Sequence, residues 1–279
     1  MPQGTPVSPG RLFVVATPLG NREDLSMRAL RVLNEVALIA CEDTRRSGPL
    51  LRAHGIKTPL TSYFEHNERD KAPRLLALLR EGKDIALISD AGTPAVSDPG
   101  FRLVRDARDQ GLPVLPVPGP SAAIAALCVS GLPTDRFLFV GFLPHKAPAR
   151  RASLLDLASR RETLVFYESP LRVLATLKNM LEAFSDREAF LCREATKLHE
   201  EYLRAPLSTL LETLQARPRV RGEIVLVIAG AKEERSSESV ESLFARLISE
   251  GRSRSEAVKE VARLTGVPRR DVYRRTLPT

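Results

Sequence analysis

The stretch with the most chemical content is made largely of small residues: Ser89-Asp90-Ala91-Gly92-Thr93-Pro94, continued by Val96-Ser97-Asp98-Pro99-Gly100. The apolar run Ile85–Ile88 feeds it and a helical pattern resumes at Phe101, so it reads as a strand, a shaped loop and a helix. Small side chains let a ligand approach the backbone, and ligands of open α/β sheets gather at the carboxyl ends of strands. A plain turn between two elements would use the same residues. Charged and polar groups stand at other strand ends: Glu42, Asp43 and Arg45, then His66 and Asn67, then Glu194 and Lys197. Such groups can take a proton, hold a cation or polarise an acceptor, or simply form ion pairs.

The elements that must position these residues follow from hydrophobic periodicity. Residues 1–10 are rich in Pro, Gly and Ser and are expected to be disordered. Strands are predicted at 12–16, 36–41, 58–64, 85–88 and 114–117, with helices at 25–35, 50–54, 70–81 and 101–110. This alternation implies βαβ units and a mainly parallel sheet over residues 11–117. Pro118-Gly119-Pro120-Ser121-Ala122-Ala123 opens a small-residue helix, equally readable as a Pro-initiated buried helix.

From 118 to 230 the pattern is less regular: strands at 137–142, 163–167, 189–192 and 223–230, with helices at 153–161, 170–184 and 207–217. A mixed sheet is expected there. Residues 231–242 read as a charged, serine-rich linker. Beyond it a helix, a Thr265-Gly266 turn and a basic helix over 268–276 look like a helix-turn-helix nucleic-acid module, or an amphipathic tail propping a dimer. Residues 251–279 hold eight Lys or Arg against three Asp or Glu.

The 279 residues carry a net charge of +8, which favours a polyanionic partner. Aromatic content of 5%, without Trp, argues against a surface built on base stacking. Cys41, Cys128 and Cys192 are isolated in apolar segments and are expected to be buried thiols. The scattered histidines make a metal site an unfavoured reading. No run approaches a membrane span and no signal-peptide layout opens the chain, so a cytoplasmic protein is expected.

Four stretches in order resemble the tetrapyrrole methylase superfamily, and within it the ribosomal RNA small subunit methyltransferase I family. They are Ala16-Thr17-Pro18-Leu19-Gly20-Asn21, Cys41-Glu42-Asp43-Thr44-Arg45, the Ser89–Gly100 loop and Val117-Pro118-Gly119-Pro120-Ser121-Ala122-Ala123. Weaker markers are Gly141-Phe142-Leu143-Pro144, Phe166-Tyr167-Glu168-Ser169, Arg193–Lys197 and Gly222–Leu226. The resemblance implies two α/β domains with S-adenosylmethionine (S-adenosyl-L-methionine) folded into the cleft between them, a small C-terminal helical module, and a homodimer. It implies the 2′-hydroxyl of a cytidine near the decoding centre of 16S ribosomal RNA as acceptor, within the small subunit. Tetrapyrrole-acting relatives carry Gly-Pro-Gly-Asp and Gly-Gly-Asp-Pro where this chain has Thr17–Asn21 and Ala91–Pro94, which favours the RNA branch. A tetrapyrrole-precursor methylase and a non-catalytic RNA-binding assembly factor are the alternatives.

Carried over by position, the donor set is Pro18, Ala91, Gly92, Thr93, Val96, Ser121, Ala122 and Glu168, with Asp90 suited to the sulfonium cation. Since a protonated ribose hydroxyl is a poor nucleophile, Lys197 or Arg45 would position or polarise it, with Asp43 or Glu194 holding that cation. RNA contacts are expected from Lys146, Arg150, Arg151, Arg160 and Arg161, and from Arg269, Arg270, Arg274 and Arg275.

Overall fold

The computed structural model describes residues 8–232 and 238–277. The first seven residues of the expected disordered terminus and part of the expected linker, 233–237, lie outside the described residues. Two compact units result: one carries both sheets, and Ser159–Arg161 with Gly230–Thr279 make the other.

The first half of the larger unit is a five-stranded sheet of β1 (Leu12–Val15), β2 (Leu38–Cys41), β3 (Leu60–Ser62), β4 (Ile85–Ile88) and β5 (Val114–Val117). Its order is β3-β2-β4-β1-β5 and every pairing is parallel, as the βαβ rhythm predicts. The inner strands β1, β2 and β4 are short and apolar because both faces are covered, whereas edge strand β3 is Leu-Thr-Ser and only partly buried. Phe13, Val15, Ile39, Cys41, Ala86 and Ile88 pack on one face against Ala29, Val32 and Leu33 of α1 (Met27–Glu35). Leu12, Ala40, Ile85 and Leu87 face the other way, onto α3 (Glu68–Arg80) and α4 (Phe101–Asp109). Between β2 and β3, α2 spans Thr44–Ala53, longer than the predicted 50–54, because Asp43 caps it.

The second sheet runs β6 (Phe137–Phe142), β7 (Thr163–Glu168), β10 (Ile224–Ile228), β8 (Glu188–Arg193), β9 (Glu201–Pro206). Only β6 and β7 are parallel, so the sheet is mixed. Its Leu164, Phe166, Leu191 and Leu226 meet α7 (Val173–Phe184) and α8 (Leu207–Gln215). Val165, Phe190, Cys192, Val225 and Val227 meet Ala123, Ala126 and Leu127 of α5 (Ala122–Val129) on the opposite face. Strand β9 escapes the sequence pattern because it is an edge strand in which only Leu203 and Ala205 turn toward the core.

Two expectations need correction here. The helix expected from Ser153 begins six residues earlier, as α6 (Ala147–Leu157), with Pro148 in its first turn. Arg150 therefore falls on the inner face of α6, 6% exposed, where Nε donates to Asn179 Oδ1 at 2.9 Å and Nη1 to the His145 carbonyl at 3.2 Å. It is a packed cation and not a surface contact for phosphate. Cys128, expected to be buried, is exposed near the end of α5, while Cys41 and Cys192 are buried.

The C-terminal unit packs α9 (Val240–Ser249), α10 (Arg254–Thr265) and α11 (Arg269–Arg275) around Val240, Leu243, Leu247, Ala257, Val261 and Val272. Ser253 and Glu256 form a reciprocal capping box at the start of α10, and Gly266 ends it with φ at 72°. No helix among the described residues is long and apolar enough to cross a membrane.

Candidate active site

Within the larger unit, loops leaving the two sheets border a cavity of about 280 Å³. Asp90, Ala91, Gly92, Thr93 and Val96 supply one wall, Ser121 and Ala122 the mouth of α5, and Glu168 the end of β7. Of the expected donor set only Pro18 is absent from the lining. It is buried, and its neighbour Leu19 lines the cavity instead.

The central loop is held from three sides. Thr17 and Gly92 exchange backbone hydrogen bonds at 2.8 and 2.9 Å, and the Thr17 hydroxyl donates to the Ser89 carbonyl at 3.1 Å. Thr93 Oγ1 donates to the Pro120 carbonyl at 3.0 Å, tying the loop to the start of α5. Gly92 has φ at +78°, where a Cβ would stand 3.3 Å from Leu19 Cδ2. Ala95 and Ser97 also take positive φ, at 66° and 61°. Backbone strain of this kind persists where surrounding contacts fix it, commonly at ligand sites.

Asp90 accepts the Asp43 backbone N–H at 3.1 Å and pairs with Arg46 at 3.4 Å. It thus ties the β4 loop to the start of α2 while its residue faces the cavity. Arg46 was missed by sequence reasoning. One helical step separates it from Arg45, and only Arg46 lines the cavity. Arg45 is instead exposed and folds back on Asp43, with Nη2 at 2.8 Å from Oδ2. That guanidinium, together with the Arg45 backbone N–H, lowers the Asp43 carboxyl to about 2.

The second charged loop follows β8. Lys197 Nζ donates to Glu194 Oε1 at 2.8 Å and to Glu223 Oε2 at 3.1 Å, and Glu223 lines the cavity. Glu194 also accepts the Glu223 backbone N–H at 2.9 Å. Burial pushes the Glu194 carboxyl up, but the Lys197 ammonium and that N–H outweigh it and leave it below its ordinary value. Glu194 and Thr196 have φ at 53° and 64°, so this loop is also strained. Both expected cation–carboxylate pairs therefore exist, Lys197 with Glu194 and Arg45 with Asp43, but on different loops.

Glu168 is 3% exposed and its carboxylate is already engaged, taking Thr176 Oγ1 at 2.6 Å and the Ser169 N–H at 2.7 Å. The remaining acids of the cavity are Glu42, Asp90, Asp98 and Glu223, with Arg46 as the lining cation. Burial raises the Glu42 and Asp90 carboxyls and pushes Asp98 to about 6. Small residues, the uncapped helix mouth at Ser121 and an excess of partly desolvated carboxylates suit a folded ligand that carries a net positive charge. S-adenosylmethionine has that chemistry: a sulfonium, an ammonium and one carboxylate.

This fold and cleft define a methylase class. The family model for Tetrapyrrole (Corrin/Porphyrin) Methylases matches residues 11–211, and that for the RsmI C-terminal HTH domain matches residues 234–278. Solved structures of similar fold include uroporphyrin-III-C-methyltransferase from Thermus thermophilus, with TM-score 0.55 and 24% identity over 79% of this chain and 92% of that one. Diphthine synthase gives TM-score 0.58 and 16% identity over 79% and 90% of the two chains. At such identities the likeness concerns the fold alone.

The chain belongs to the ribosomal RNA small subunit methyltransferase I family. The relative of that name in Pseudomonas aeruginosa is 46% identical over 97% of this chain and 98% of its own length. That of Halalkalibacterium halodurans is 45% identical over 95% of this chain and 93% of its own.

Proposed function

We propose that this chain transfers a methyl group from S-adenosylmethionine to the ribose 2′-hydroxyl of a cytidine in the decoding region of 16S ribosomal RNA. The reading extends to action on the small subunit, in the cytoplasm, by a homodimer. The observation that carries it is the cleft of about 280 Å³, with small residues on one wall and more carboxylates than cations in its lining. Similarity running through both the methylase region and the C-terminal unit supports RNA as the acceptor.

The donor supplies an electrophilic methyl carbon on an activated leaving group, so the chain's task is alignment. Asp90, Ala91, Gly92, Thr93, Val96, Ser121 and Ala122 would hold the donor, and Asp90 would favour its positive charge. Lys197, held by Glu194 and Glu223, would polarise the ribose oxygen and stabilise charge developing there. Arg45, folded on Asp43, is a weaker candidate because it is absent from the cavity lining. The basic α11 would grip phosphates.

Incubating unmethylated small subunits with labelled donor, then mapping the modified nucleotide by mass spectrometry, tests the reading. One labelled ribose in the decoding region is expected. Labelling of a porphyrinoid in its place, or no label on RNA, would sink it.

A further inference from the structure

A second cavity, of about 390 Å³, abuts the first. Ser97 and Asp98 line both, so these residues form a wall shared by the donor cleft and its neighbour. The far side of the neighbour carries Glu68, Phe101, Arg102 and Arg105. Phe101 is 66% exposed in the first turn of α4, with the Arg105 guanidinium carbon 6.0 Å from its ring centroid. Arg102 Nε lies 3.7 Å from Glu68 Oε2, and Arg105 Nη2 pairs with Asp106 at 2.7 Å.

The wall is rigid. Gly100 donates its N–H to Glu68 Oε1 at 2.9 Å and has φ at +128°, and a Cβ there would stand 2.6 Å from Leu87 Cδ2. An aromatic face, two guanidinium groups and a carboxylate at the boundary with the donor cleft are the complement of one extruded nucleotide. Its base needs a ring to lie on, its phosphates need cations, and its ribose must reach the donor side.

We propose that this second cavity is the acceptor-nucleotide subsite, with the Phe101 ring receiving the base, Arg102 and Arg105 the flanking phosphates, and Asp98 taking the ribose proton. The proposal rests on the methyl-transfer reading above. Asp98 removes the 2′-hydroxyl proton while the ribose oxygen forms its bond to the methyl carbon. The electron pair of the broken carbon–sulfur bond stays on sulfur, and Asp98 then releases the proton to solvent.

The groups around Asp98 suit this work. Burial is the largest influence raising its pKa to about 6, and Glu42, Asp90 and Glu223 add to it, while a hydrogen bond with Ser89 opposes it. Arg46 stands on the donor side, paired with Asp90, and Glu65, Glu68, Arg102 and Arg105 stand on the other. At neutral pH the carboxylate is mostly ionised, and it is basic enough to compete for a proton.

The test uses the full chain with unmethylated small subunits, single-turnover methyl transfer from pH 5 to 8, donor binding by calorimetry and RNA binding by filter retention. Wild type should gain about tenfold in rate per pH unit below about 6 and level off above it. Asp98→Asn should lose the rising limb and about 10²- to 10⁴-fold in rate, far more than it loses in donor affinity. Asp98→Glu should recover part of the rate and the limb. Phe101→Ala, a change at an exposed ring, should weaken RNA binding about 5- to 150-fold and leave donor affinity unchanged.

An Asp98→Asn enzyme with wild-type rate and limb, or a Phe101→Ala enzyme with wild-type RNA affinity, would overturn the subsite while leaving methyl transfer to RNA intact. Wild type that places no methyl on RNA would instead remove the function and the subsite with it.

Discussion

Lys197 lies across Gly20: a Cβ at Gly20 would stand 2.2 Å from Lys197 Cγ. Gly20 belongs to the loop after β1, and Lys197 to the loop after β8, so one missing side chain lets a cation of the second sheet rest on the first. Nearby, the Asn21 backbone N–H donates to Thr196 Oγ1 at 3.2 Å.

Gly20→Ala must therefore push Lys197 off its path between Glu194 and Glu223. A misplacement of about 1 Å can cost about 10²-fold in rate. Gly20→Ala should lower single-turnover methyl transfer about 10- to 100-fold, and Lys197→Ala at least as much, with donor affinity nearly constant for both. The double variant should lose little beyond Lys197→Ala, because both changes remove the same interaction. Full additivity would place Gly20 in another role.

Asp90 combines a structural bond with a charge, and two substitutions separate them. Asparagine keeps an oxygen for the Asp43 N–H but drops the charge, whereas alanine drops both. Asp90→Asn should keep its urea midpoint and lose about tenfold in donor affinity by calorimetry. Asp90→Ala should show the same affinity loss and cost a further ~1–2 kcal/mol in urea unfolding, as the Asp43 N–H loses its acceptor. Unchanged donor affinity in Asp90→Asn would leave Asp90 as a loop cap only.

Salt dependence distinguishes the basic residues. Arg269, Arg270, Arg274 and Arg275 are exposed on α11, and Arg274 pairs with Asp271. Replacing Arg269 and Arg270 with Gln should reduce the slope of log affinity against log salt by about 1.5 to 2. Arg150→Gln should leave that slope alone and lower stability instead, since Arg150 is buried against Asn179. Filter binding between low and moderate salt reads the first, and thermal unfolding the second.

Acid should loosen the loop after β8. Glu201 accepts from Arg217 at 2.6 Å and from Arg193 at 2.7 Å, and these guanidinium groups, Arg217 foremost, lower its carboxyl to about 2. A depressed carboxylate stabilises the fold above its unfolded pKa and loses that contribution as pH falls toward its folded value. The contribution, up to about 3 kcal/mol, should be present above about pH 4.5 and vanish toward about 2. Glu201→Gln should lower urea stability at pH 7 and flatten its fall between those values.

The parallel sheet was legible because Leu12–Val15, Ile85–Ile88 and Val114–Val117 are apolar runs, the first two covered on both faces and the third at the sheet's edge. So was the central loop, since Gly92 and its neighbours announce close backbone approach. The mouth of α5 was legible as helix grammar, though nothing local says that Ser121 faces a cleft. Three features resisted. Strand β9 alternates exposed and half-buried positions at a sheet edge and mixes charge into both. Arg46 and Arg45 are indistinguishable in a string, and only the turn of α2 sends one toward the cavity. Asp98 looks like turn grammar before Pro99, and its place between two cavities depends on folding alone.

The paired hydrogen bonds between Thr17 and Gly92 carry one further consequence. They form an isolated antiparallel bridge just beyond the parallel β1–β4 pairing, so these two loops are fastened to each other and are not independent flaps. Those two bonded amides should exchange with solvent more slowly than the free amides of a surface loop. A ligand entering the cleft therefore meets a wall whose two loops are bonded to each other on this side, and Phe142 and Glu223 from the second sheet's loops on the other.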